Sequence, residues 1–209
     1  MDARMTWSSV VAAVVVALVA VGGSVAMGTP LNLTQQPPDV FSVDVQVDYL
    51  TETQVFTASG SALTFDIDGD PLHMLNIDNG TFDISAVINA SGTPGSGSLE
   101  IGGTIPSLGA NSGTLLKGDL LKFGYTDNGG EIFEFVFVPT DGDLLSYYPG
   151  QVGVILDGWS TGFTGSFDEG FSNDGDGVSD SFAQPVAEPA GLSLIGLMLF
   201  GLNRRSRRS

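Results

Sequence analysis

Apolar and polar residues alternate with a period of two through most of the middle of the chain. Phe41, Val43, Val45, Val47 and Tyr49 alternate with Ser42, Asp44, Gln46 and Asp48, which predicts a strand with one buried face. Leu63, Phe65 and Ile67 repeat the pattern around Thr64 and Asp66, and Phe82, Ile84, Ala86 and Ile88 repeat it around Asp83, Ser85 and Val87. Leu99 and Ile101 mark a shorter strand. Leu121, Phe123 and Tyr125 run into Asp127-Asn128-Gly129-Gly130 and then Ile132 to Val138. Asn-Gly and Gly-Gly supply the positive-φ residues of a tight hairpin turn. The arm from Ile132 to Val138 is apolar on nearly both faces, as expected of a strand covered on both sides. Val152 to Leu156 predicts another buried strand, and Phe163 and Phe167 predict the last. About eight strands with turn signals between them, and no helical period, place the chain in the all-β class. An antiparallel β-sandwich is the expectation and a closed β-barrel the alternative.

The same pattern divides the chain. Residues 27–39, with Pro30, Pro37 and Pro38, read as a lead-in arm to a β-sandwich domain over 40–167. Residues 91–98 read as a flexible loop, and the Gly- and Asp-rich stretch 168–186 as an acidic linker. Composition narrows the chemistry. Among 209 residues there is no Cys, which excludes a disulfide scaffold, a thiolate metal centre and a Cys nucleophile. A net charge of −17 excludes nucleic acid as a partner. Residues 27–186 carry 22 carboxylates against Lys117 and Lys122 alone, a surface that stays soluble and collects cations.

Both ends differ from this body. Arg4, the apolar run Val10 to Val21 and the small pair Ser24 and Ala26 read as a signal helix over residues 1–26, cleaved after Ala26. At the other end, Ala187-Glu188-Pro189-Ala190 precedes an apolar run from Gly191 to Leu202, then Arg204, Arg205, Arg207 and Arg208. Arg just past an apolar helix stays cytoplasmic, so with an exported body the tail stops transfer. Ala190 to Leu202 spans only about 20 Å as a helix, short of a ~30 Å hydrocarbon core, so it predicts a transient inner-membrane anchor. The segment 187–209 resembles the PEP-CTERM sorting signal of Gram-negative bacteria. Glu188 and Pro189 match the second and third positions of its Pro-Glu-Pro motif, with Ala187 in place of the first Pro. The resemblance implies an exosortase-type processing enzyme as partner, delivery to the cell surface or extracellular matrix, and contact with extracellular polysaccharide.

Candidate chemistry in the body is sparse. Asp174, Asp176 and Asp180 resemble the calcium loops of thrombospondin type 3 repeats, with Ser172 where the first Asp would stand. They are the candidate metal ligands, calcium being the one cofactor considered. Asp66, Asp68 and Asp70 cluster around Gly69, but position 77 is Ile, where a calcium-binding EF-hand needs Glu. His73 is alone beside apolar residues. Glu131 and Glu134 fall on opposite faces of one strand, a poor pair for glycoside hydrolysis. Tyr147, Tyr148 and Trp159 are of the type that stacks on sugar rings, though core or rim is the expected place for them. No nucleophile elbow or phosphate-cradling loop is present. These observations describe an exported, non-enzymatic surface or matrix protein. A carbohydrate- or calcium-binding module, or a polysaccharide-active enzyme, are the alternatives.

Overall fold

The structure, a computed structural model, describes residues 29–126 and 131–184. The expected signal and tail helices and the turn 127–130 lie outside the described residues. Among the described residues the strands are β1 (Asp39–Leu50), β2 (Val55–Asp66), β3 (Leu75–Asn76), β4 (Asp78–Ile88), β5 (Pro94–Ile105), β6 (Ala110–Tyr125), β7 (Ile132–Asp141), β8 (Gln151–Asp157), β9 (Phe171–Ser172) and β10 (Gly177–Gln184). Eight of them pair antiparallel in the order β1-β2-β4-β5-β6-β7-β8-β10 and close back onto β1. The domain is therefore a closed barrel and not the sandwich first expected. Period-two alternation is the same in both architectures, because both bury one face of each strand. What separates them is whether the first and last strands meet, and the last strand lies where the sequence predicts a linker.

That strand is β10, inside the stretch expected to be a linker. Its inward positions are Ser179 and Ser181, and its large apolar residue, Phe182, points outward. The alternation is inverted, so no hydrophobic signal marks it. Phe163 and Phe167 do not form a strand. With Phe171 they plug one end of the barrel. Phe163 lies 5.1 Å from Phe133, Phe167 meets Tyr49 edge-on at 4.9 Å, and Phe171 stacks on Tyr49 at 5.3 Å. Below the plug, Phe56, Phe82, Phe135 and Phe137 fill an interior just wide enough for side chains.

Bulges explain the other departures. Asp44 takes φ 51° and the β1–β10 register shifts between Ser42 and Val45. Val45, Val47 and Tyr49 therefore face inward as predicted, but before the bulge Val40 and Ser42 do, and Phe41 is turned out to 37% exposure. A register shift opposite β2 likewise turns Leu63 outward between buried Ala62 and Phe65. Phe82, Ile84, Ala86 and Ile88 face inward as the alternation predicts. β5 begins at Pro94, so most of the expected loop 91–98 is ladder. Only a turn remains, where the Asn89 side chain accepts from the N–H groups of Ser91 and Thr93.

The lead-in arm is a strap across the outside of the barrel. It starts over β6, where a Cβ on Gly124 would meet Thr29 O at 2.6 Å and Leu31 N at 2.9 Å. It crosses β7 at Glu134, whose carboxylate accepts N–H bonds from Leu31, Asn32 and Leu33. Asn32 sits at φ 55°, which turns the three donors toward one anion. It reaches β10, where Gln184 Nε2 donates to Thr34 O, Gln36 Nε2 donates to Ala183 O, and Ala183 N donates to Pro38 O. Outward-facing Glu134, Val136 and Phe182 are consequently buried. Both faces of β7 are thus covered, as its sequence predicts.

Glu134→Ala leaves three strap N–H groups without their acceptor and is expected to lower stability by about 1.5–3 kcal/mol. A urea titration with limited proteolysis checks it. The transition should move to lower urea and new cuts should appear within 29–38. An unchanged midpoint and cleavage pattern would mean that other contacts hold the strap.

Candidate functional site

The closing seam of the barrel brings three acids to its outer face. Asp39 of β1 stands directly opposite Asp66 of β2. Two residues along β1, Phe41 stands opposite Asp180 of β10. Together with Gln35, Thr64 and Met74 they line a groove of about 340 Å³, with no Lys or Arg in its wall. Gln35 Nε2 donates to Asp39 Oδ2 at 2.7 Å. Burial, reinforced by the negative charge of Asp39, pushes the Asp180 carboxyl up to about 6. Burial is also the largest influence on Asp39 and raises it. The Gln35 hydrogen bond opposes that shift and the Asp66 charge adds to it. The groove thus raises the proton affinity of Asp39 and Asp180 beside half-exposed Phe41 and Met74.

Asp180 was expected to act with Asp174 and Asp176. The structure places those two on the exposed turn between β9 and β10. β10 is extended from Gly177, so Asp180 lies about 13 Å along the chain from Asp176 at 3.3 Å per residue. Calcium oxygens sit 2.3–2.6 Å from the ion, so this spacing does not form the loop first read from the sequence. Among the described residues, no group of three or more His, Asp or Glu is arranged to hold a metal ion. The turn is organised instead by Asn173, which is 5% exposed. Its Oδ1 accepts from Val47 N at 2.7 Å and from Gly175 N, and its Nδ2 donates to the carbonyls of Val45, Gly158 and Trp159. Nothing in the sequence distinguishes Asn173 from the other polar residues of that stretch.

The remaining candidates, Trp159 apart, resolve into structural roles. Asp66 Oδ1 accepts from the N–H groups of Asp68 and Gly69, and Asp70 Oδ1 accepts from Leu72 N, so this cluster caps its own turn. His73 Nδ1 lies 2.8 Å from Asp68 Oδ2, a pairing that lowers the Asp68 pKa. Glu131 and Glu134 are two separate clamps. Glu134 holds the strap, and Glu131 accepts from Thr161 N at 2.6 Å and Gly162 N at 3.1 Å. Tyr148 is buried, with its hydroxyl on Ser181 O. Tyr147 packs edge-on against Phe65 at 5.3 Å. Trp159 is 62% exposed, outside the core.

Ala26 and the tail residues Ala187, Glu188, Pro189, Arg204, Arg205, Arg207 and Arg208 lie outside the described residues. Among the described residues no helix is long and apolar enough to cross a membrane. Searches of family models, curated proteins and solved structures find no match to this chain.

The seam sets a pH dependence. Unfolded, the Asp180 carboxyl titrates near 3.8; folded, near 6. Between those values only the folded form holds the proton, so this group favours folding most below 3.8 and loses that contribution as pH rises through 6. Thermal stability should therefore rise as pH falls from 7 toward 5. Water reaches part of this carboxyl, which limits the gain to about 1 kcal/mol. Asp180→Asn should be more stable than the wild-type protein at pH 7 and show a flatter profile. Melting curves across that range check both.

Proposed function

We propose that the chain is an exported, non-enzymatic surface or extracellular-matrix protein, delivered by an exosortase-type signal of the PEP-CTERM kind. The observation that carries this reading is the order of features at the C-terminus: Glu188-Pro189, an apolar run, then Arg204, Arg205, Arg207 and Arg208. The barrel supports it by its position. Its last strand ends at Gln184, so Glu188 follows within about 14 Å of extended chain. The folded body and the sorting signal are adjoining units.

Each part of the tail has a physical task in this reading. Pro189 has no backbone N–H and disfavours a helical residue before it, which keeps Glu188 extended for recognition. The short apolar run gives brief residence in the inner membrane. Each Arg resists crossing at about 2.5–3.5 kcal/mol. The partners are the processing enzyme in the membrane and polysaccharide of the matrix outside.

Glu188→Ala with Pro189→Ala is expected to keep the topology and trap an unprocessed, membrane-bound form. Replacing all four Arg by Ser should release unprocessed protein. Intact mass and cell fraction, compared between hosts with and without an exosortase, provide the readout. Identical mass and location of the wild-type protein in both hosts would leave an ordinary tail anchor in place of sorting.

At the other end, N-terminal sequencing of the exported form should begin at Met27. A mature protein starting at residue 1 or 2 would remove the signal-peptide assignment.

A further inference from the structure

We infer that Trp159 is the platform of a carbohydrate-binding site that takes a neutral polysaccharide, at the end of the barrel opposite Gln184. Its loop, between β8 and β9, buries Phe163 and Phe167 in the aromatic plug beside Phe171 of β9 but leaves Trp159 at 62% exposure. Among the described residues the indole joins none of the ring–ring contacts that bind the other three together.

The backbone beneath the ring is fixed at a cost. Trp159 takes φ 26° and Ser160 takes φ 60°, two successive residues with side chains in the left-handed region. The surrounding bonds over-determine this conformation. Gly158 N donates to Glu131 O at 2.8 Å, and Trp159 N donates to Asp157 Oδ1 at 3.1 Å. The Glu131 carboxylate holds Thr161 N and Gly162 N, and buried Asn173 holds the carbonyls of Gly158 and Trp159. A glycine at 159 would make the same turn without strain. The chain instead holds a large flat apolar face in water. With the main chain beneath it fixed beforehand, such a residue has less freedom to lose when a ligand stacks on its ring.

The surroundings choose the ligand class. A flat aromatic face complements the C–H face of a pyranose ring, while the neighbouring exposed hydroxyl of Ser160 and the Asp157 carboxylate offer partners to sugar hydroxyls. The body carries many carboxylates against Lys117 and Lys122, so uronates, phosphates and anionic lipid are repelled while a neutral sugar is not. Position agrees. Asp157 pairs with Val178 at the start of β10, and the tail leaves from Gln184 at its end, about 20 Å away. With the tail at the membrane, Trp159 faces the matrix. That last point rests on the proposed sorting, whereas the ring, its fastenings and the charge argument do not.

The test uses the full chain carrying Trp7→Phe, so that Trp159 is its only indole. Its fluorescence is titrated with dextran, hydroxyethyl cellulose, alginate and phosphatidylglycerol vesicles. A saturable blue shift with a neutral glucan, and none with alginate or vesicles, is the expected result. In affinity electrophoresis through gels containing that glucan, Trp159→Gly should bind at least about tenfold more weakly and Trp159→Tyr should retain most of the retardation. The melting temperature of Trp159→Gly should equal or exceed that of the wild-type protein. No shift with either glucan, a shift with alginate or vesicles only, unchanged retardation in Trp159→Gly, or a lowered melting temperature would each overturn the assignment. The assay uses purified protein, so its failure leaves the mass and fractionation test of sorting untouched, and the reverse also holds.

Discussion

The pairing of β10 with β1 is the contact on which the rest of the molecule depends. Without it, β10 and β1 would each present an unpaired edge and the sheet would not close. β10 is bonded on both sides, to β1 from Asp39–Phe182 to Val45–Gly177 and to β8 from Val178–Asp157 to Gln184–Gln151. Few apolar side chains contribute on the inside of this seam. Ser42, Ser179 and Ser181 face inward with hydroxyls that have no partner among the described residues. Closure therefore relies on main-chain bonds and on outward-facing Phe182, which lies over Gly153 beside the strap.

A chain so poor in cations has to find other partners for its carboxylates. Lys117 pairs with Glu100 at 3.0 Å. Elsewhere the main chain supplies the counter-charge. Glu134 fastens the strap, Glu131 fastens the loop under Trp159, and Asp66 and Asp70 cap a turn, each through backbone N–H groups. These bonds need only a local cluster of donors, so acidic residues can organise loops without adding basic ones. Asp39 and Asp180 are the exception, gathered with Asp66 by strand register into one groove with no Lys or Arg in its wall.

Strands whose inward residues are apolar were legible in the sequence. Phe82 to Ile88, the arm around Phe135, and Val152 to Leu156 fall where alternation puts them, and so do Phe123 and Tyr125, but Leu121 on the same arm is turned outward at a register shift between Leu120 and Lys122. Alternation failed wherever the backbone added a residue, as at Asp44, or reversed polarity, as at Ser179, Ser181 and Phe182. Missing β10 hid both the closure of the barrel and the true surroundings of Asp180. The groove joins residues 39, 66 and 180, a combination set by pairing and not by spacing. Glu131 and Asn173 were equally hidden, since their partners are backbone groups that carry no sequence signature. Trp159 was visible as an aromatic residue, but its exposure was not.

The attachment point at Gln184 also decides how the barrel would carry mechanical load. A pull on the tail enters through β10, which is hydrogen-bonded along its length to a strand on either side. When the pull runs along the strand, those bonds must slide together in shear, because β10 is paired on both sides and offers no open edge from which they could be unzipped one at a time. The seam that closes the sheet is thus also the element best placed to resist being drawn out by whatever holds the tail.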